Sequence, residues 1–158
     1  MKRLLSVLFL SILLFTGCTT VGSFSGADAS EEIDIYIGNE DVTGLDIETV
    51  TMPKDNIEKI ISKIISLNVN CINENTEILD VTIDNKIAKV NLSSEFDDPN
   101  TNSSALVRLK VYAITNTLCL NDVLNIEGVV FLIDGEPQES VCGLSPNNDT
   151  HFIGREDL

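Results

Sequence analysis

Asp98, Asn100 and Asn102 place oxygen-bearing side chains at alternate positions, an arrangement in which hard donors can wrap a divalent cation. They match the first three ligand positions of a calcium loop. The rest of that pattern is missing, since Ser103 stands where the sharp turn needs Gly and Leu109 where a bidentate Glu closes the shell. Ordinary turn residues leading into a helix explain the same stretch. Cys71, Cys119 and Cys142 have no zinc-type spacing, and the single histidine, His151, lies in the C-terminal tail. They read as small buried residues or as one disulfide with a thiol left over. The carboxylate pairs Asp97-Asp98 and Glu31-Glu32 would do acid–base work only in a shielded site that splits their pKa values, and no spacing here argues for one. With no Gly-rich phosphate loop either, no catalytic residue is assigned and no cofactor is expected.

Covalent chemistry is expected at Cys18. The chain opens with Lys2 and Arg3 and continues from Leu4 to Phe15 with only Ser6 and Ser11 polar. A helix over that run covers about 18 Å, short of the roughly 30 Å hydrocarbon core, so it suits an export signal better than a permanent span. Phe15-Thr16-Gly17-Cys18 resembles a bacterial lipobox, in which cleavage precedes a cysteine carrying diacylglycerol. The expected division is a signal peptide over 1–17, a flexible stalk over 18–32 beginning at lipidated Cys18, a folded domain over 33–136 and a C-terminal tail over 137–158. Two acyl chains, at about 0.8 kcal/mol per buried methylene, hold a protein stably on a bilayer.

Acidity supports that division of labour. The formal charge is −15, and removing residues 1–17 takes Lys2 and Arg3 with it, moving the charge to −17. Nucleic acid is excluded as a partner, because it requires a basic footprint. An anionic membrane surface would also repel the domain, so lipid must do the anchoring.

The elements follow from periodicity. Ile78 to Asp84 and Lys86 to Leu92 form a hairpin in which Leu79, Val81, Ile83, Ala88, Val90 and Leu92 share a sheet face. Loops at Asp84-Asn85 and at Asn85-Lys86 give the same parity; the tolerance of Asp and Asn for positive φ favours the first. Ile33, Ile35 and Ile37 alternate in an earlier strand, and residues 44–51 pair back on it. Ile57, Ile60, Ile61, Ile64 and Ile65 lie on one helical face, with Asp55 as its cap. A second helix runs from about Ser103 to Leu120, capped by Ser103 or Ser104, with Val107, Val111, Ile114 and Leu118 as its main stripe. Lys110 falls inside the apolar arc, so either its stem snorkels out or that side meets something else; Lys110 and Tyr112 are the candidate contact residues. Val129 to Ile133 reads as an interior strand covered on both faces, and Phe152-Ile153 as a point where the tail docks back.

Ile35-Tyr36, the stretch Ala88 to Phe96 (Ala-Lys-Val-Asn-Leu-Ser-Ser-Glu-Phe), the helix end Ala113 to Leu118 (Ala-Ile-Thr-Asn-Thr-Leu) and Val129 to Gly135 with its Ile-Asp-Gly end together resemble the GerMN domain of sporulation and spore-germination proteins. The likeness spans residues 33–136. It departs at Asn85, where the family usually has Gly, and at Leu67-Asn-Val-Asn, which lacks a Gly-Pro. The resemblance implies an α+β domain, one small sheet of four to five strands covered by two helices, similar to ring-building motifs, and it carries over no catalytic residues.

The reading is a non-enzymatic lipoprotein on the extracytoplasmic face of the bacterial cell membrane. Its domain meets protein partners or itself, through the second helix or an exposed sheet edge, in sporulation, germination or envelope organisation. The alternative is an extracytoplasmic ligand-binding module that takes a cation, a peptide or a cell-wall fragment at the Phe96 to Ser104 loop.

Overall fold

The computed structural model describes residues 30–158. The expected signal peptide, the lipidated Cys18 and the stalk through residue 29 lie outside the described residues. Ser30 to Glu32, expected in the stalk, belong to the first strand.

The fold is α+β, as expected. Strand β1 (Ser30–Gly38) pairs antiparallel with β2 (Leu45–Pro53), and helix α1 (Ile57–Leu67) follows. Strands β3 (Ile78–Asp84) and β4 (Ile87–Leu92) form the hairpin; two short 3-10 turns at Ser94–Asp97 and Pro99–Thr101 lead into α2 (Ser104–Cys119). Then come β5 (Gly128–Ile133) and the two-residue β6 (Glu136–Pro137). The order β3-β4-β5-β6 makes one mixed sheet, with β4 and β5 parallel, while β1 and β2 make a separate two-stranded ladder.

α1 forms because its five isoleucines recur on one face, and all five are buried. Burial at about 1.5–3 kcal/mol each outweighs the propensity cost of β-branching. Its cap is Asn56, one residue later than expected, whose side chain accepts from the Lys59 amide. α2 is capped by Ser103, and its buried arc spans nearly the whole circumference from Val107 to Leu118.

The hairpin keeps the expected face but not the expected loop. Ile83 pairs with Ala88 and Asp84 with Ile87, so the turn is Asn85-Lys86, both at positive φ (50° and 66°). The parallel neighbour decides the register: the Glu127 amide donates to the Lys86 carbonyl, and the Lys86 ammonium pairs with the Glu127 carboxylate. Left-handed backbone at a lysine costs about 1 kcal/mol, which these two contacts offset. Ala88, Val90 and Leu92 are fully buried, whereas a register shift between Ile78 and Asp80 leaves Leu79 exposed. β5 is interior to the sheet yet covered on one face only. Val129 and Phe131 are buried, while Val130 and Leu132 stay half-exposed because, among the described residues, no element lies over them.

The last segment is part of the domain. Phe152 is buried, exchanges backbone hydrogen bonds with Val129, and packs edge-on against Phe131 and Tyr112. Docking was expected at Phe152-Ile153: Phe152 docks, while Ile153 stays exposed.

Candidate functional site

Two strand edges are treated in opposite ways. β1 has β2 on one side and no strand on the other, so its remaining backbone groups must be paired with something else. Side chains supply it. Asn121 accepts from the Asp34 amide at 2.9 Å and donates to the Asp34 carbonyl at 2.9 Å; Thr117 accepts from the Tyr36 amide at 3.0 Å. Asn68, the cap that ends α1, donates to the Tyr36 carbonyl at 3.1 Å and accepts from the Gly38 amide at 2.8 Å, and Asn70 donates to the Gly38 carbonyl at 2.9 Å. Thus the ends of both helices close one edge of a strand, which is why β1 and β2 stand apart from the larger sheet. Nothing periodic in the sequence announces these contacts.

β3 is the opposite case. Its partner β4 occupies one side, and with Asp84 and Ile87 closing a two-residue loop, Val81 and Ile83 turn their N–H and C=O groups away from β4. Among the described residues, no hydrogen bond reaches that outer edge. Beside it lie two hollows that share Glu58. The larger, about 740 Å³, is lined by Ser62, Ile65, Val69, Thr76 and Ile78 with Glu58, Glu74 and Glu77. The smaller, about 450 Å³, lies against Ile57, Val81 and Ile83 with Asp55 and Glu58. Ile83 is 50% exposed and Val69 63% exposed. Thr76 is buried, and its Oγ1 finds no hydrogen-bond partner among the described residues.

The loop carrying Asp98, Asn100 and Asn102 does hold a cation, one that belongs to the chain. Lys110, fully buried, donates from Nζ to the Phe96 carbonyl (2.7 Å), Asn102 Oδ1 (2.6 Å) and Thr101 Oγ1 (3.2 Å), and lies 5.2 Å from the centre of the Phe96 ring. The Asp98 carboxylate is engaged as well. Asp98 accepts from the Asn100 amide and from the side chains of Asn100 and Asn73, and these bonds, the Asn100 amide first, hold its carboxyl below the usual range. Of the three, Asn102 alone reaches the ammonium, while Asp98 and Asn100 bond to each other and Asp98 to Asn73, so they do not converge as one ligand set. Among the described residues, no three His, Cys, Asp or Glu side chains gather in a metal-binding group.

Lys110 and Tyr112 are corrected as surface contacts. The lysine neither snorkels nor meets an outside body, because the loop folds over it and satisfies all three of its protons. Tyr112 is 2% exposed, wedged between Phe152 and the Arg155 guanidinium. The three thiols are free. Burial pushes Cys71 and Cys142 up to about 12 and Cys119 to about 11, so they stay protonated at neutral pH and make poor nucleophiles.

Residues 34–139 match the model of a family described as Germane, sporulation and spore germination. The chain belongs to the Germane family. Among solved structures it is similar to the first GerMN domain of the sporulation protein GerM from Bacillus subtilis, at 19% identity and a TM-score of 0.54, covering 82% of this chain and 99% of that one. It is also similar to the tandem GerMN domains of the same protein, at 19% identity and a TM-score of 0.51, where the match covers 82% of this chain and 48% of that one, so it spans about half of the tandem. No curated protein matches the chain.

The stretches that carry the Germane likeness are scaffold. Ala88 to Phe96 is β4 and the turn that supplies a carbonyl to Lys110, Ala113 to Leu118 is the end of α2 that bears Thr117, and Val129 to Gly135 is β5 with its turn. The β3 edge and its hollows lie apart from those stretches.

Proposed function

We propose that this Germane protein is a lipid-anchored, non-enzymatic envelope protein whose domain works by contacting other proteins during sporulation or germination. The observation that carries the reading is the family match over residues 34–139. The anchor comes from the sequence, where Cys18 closes a lipobox-like stretch after an apolar run too short to span a bilayer. Support for contact as the mode of action lies in how candidate chemistry is spent internally. In the calcium-like loop Asn102 is taken by the Lys110 ammonium and Asp98 by Asn73 and Asn100, and the thiols are held in their unreactive form.

The test follows a clickable fatty acid in a Gram-positive host making the full chain or Cys18→Ala. Label on the membrane-associated wild type, lost with its membrane association in Cys18→Ala, is the expected result, together with reproducible protein crosslinks in sporulating cells. Unlabelled protein recovered from the cytosol with residues 1–17 still attached overturns it.

A further inference from the structure

We infer that the edge of β3 and the hollows between β3 and α1 receive an extended, basic segment of a partner protein, which adds to β3 as a further strand. This deepens the proposed role as a contact module and rests on it.

The backbone provides the first argument. Val81 and Ile83 offer N–H and C=O groups on an edge that no described residue covers, and a chain laid along it satisfies them without rearranging the sheet. Of the longer strands with an open edge, β2 and β3, only β3 runs beside these two hollows. Val81 and Ile83 lie on the face that α1 covers, so alternate side chains of an added strand enter the space along α1. There Glu58, Ser62, Ile65, Ser66 and Val69 follow one another along a single side of the helix and its end. The serines leave room, and Ile65, Ile78 and Val69 give an apolar floor.

Charge selects the occupant. Asp55, Glu58, Glu74 and Glu77 line the hollows, Asp80 and Asp84 lie on the opposite face of the same strand, and among the described residues none of the six is in an ion pair. No lysine or arginine lines either hollow. A second copy of a chain with net charge −15 is disfavoured there, because pairing β3 with β3 brings Asp80 and Asp84 of the two copies close together. A segment alternating Lys or Arg with apolar residues fits both floor and rim. Thr76, buried at the edge of the larger hollow, adds a hydroxyl oxygen with no hydrogen-bond partner among the described residues.

The probe is a fluorescent peptide alternating Lys with Val and Ile, added to the full chain in micelles of an uncharged detergent, alongside the same peptide with Glu for Lys. The Lys peptide is expected to bind and to slow amide hydrogen exchange over residues 78–84. Its affinity should fall steeply between about 0.1 M and about 1 M salt, as the Debye length shrinks from about 10 to about 3 Å. Ile83→Pro removes an outward N–H and no ladder bond, so it should weaken binding about tenfold or more. Should that variant melt early, the pair Glu58→Gln and Glu77→Gln serves instead, with about threefold expected for each. Equal binding of the Glu peptide, or protection elsewhere than 78–84, overturns the inference. So does protection that grows with protein concentration when no peptide is present, which assigns the edge to a second copy. A chain that crosslinks to proteins in cells from a photoreactive residue at Leu132, on the open sheet face, while peptide leaves 78–84 unprotected, overturns the groove alone and leaves the proposed function standing.

Discussion

β1 and β3 are both edge strands, and the molecule seals one while leaving the other bare. The outer edge of β1 is closed by Asn68, Asn70, Thr117 and Asn121, with Asn68 and Thr117 fully buried. The outer edge of β3 faces two hollows rimmed by carboxylates. A protein could have protected itself from edge-to-edge pairing by the same device at both places. That it spends buried amides on one edge only separates the edge that holds the fold together from the edge free to meet something else.

Among changes to the polar closures, the largest effect is expected where the sealed edge is opened. Asn68→Leu keeps the volume but strips the partners from the Gly38 amide and the Tyr36 carbonyl. Each orphaned group costs about 1–3 kcal/mol, so urea unfolding should show a loss of about 3 kcal/mol or more. A loss under about 1 kcal/mol would mean that water replaces the amide freely and that the edge is not sealed.

Lys110→Met comes next and asks whether a buried polar closure outside the sheet behaves as β1 does. The change removes three hydrogen bonds to an ammonium and leaves Asn102 Oδ1 without that donor, while it relieves the cost of burying the charge. Hydrogen bonds to charged groups are worth about 1.5–3 kcal/mol, so a net loss of about 2 kcal/mol is expected, with faster hydrogen exchange confined to residues 94–102. Unchanged or increased stability would show that desolvation had cancelled the bonds.

How much of this was legible in the sequence depends on the reach of each interaction. The five isoleucines of α1, the shared face of Val81, Ile83, Ala88, Val90 and Leu92, and the Ser103 cap are local and periodic, and they are found where expected. The hairpin loop lies one residue later than expected, because Glu127, some 41 residues away in sequence, fixes the position of Lys86. Asn68, Thr117 and Asn121 carry no local signal of their role, since their partners in β1 are 30 to 87 positions distant. Lys110 was conspicuous as a cation in an apolar arc. Its destination leaves no pattern, because the acceptors at Phe96, Asn102 and Thr101 lie 14, 8 and 9 positions away in irregular turns. The hollows beside β3 come from a register shift and an uncovered strand, neither of which leaves a pattern in residue order.

Hydrogen exchange should sharpen the contrast without any substitution. The Tyr36 and Gly38 amides, held by Thr117 and Asn68, should exchange only when the whole domain unfolds, whereas Val81 and Ile83, turned to solvent, should exchange orders of magnitude faster. Similar rates at the four sites would erase the distinction.

The smallest expected effect is on the open edge itself. Ile83→Lys changes a side chain that is already half-exposed, opposite Ala88, and sets a cation near Asp55 and Glu58. Surface changes of this kind move stability by about 0.5 kcal/mol or less, and the acidic rim should offset part of the lost apolar contact. The matched change on β1, Ile35→Lys, drives an ammonium into a position with 0% exposure and should prevent folding. If thermal melts instead show Ile83→Lys costing several kcal/mol, then Ile83 is core, the hollow beside it is closed in solution, and β3 carries stability as β1 does.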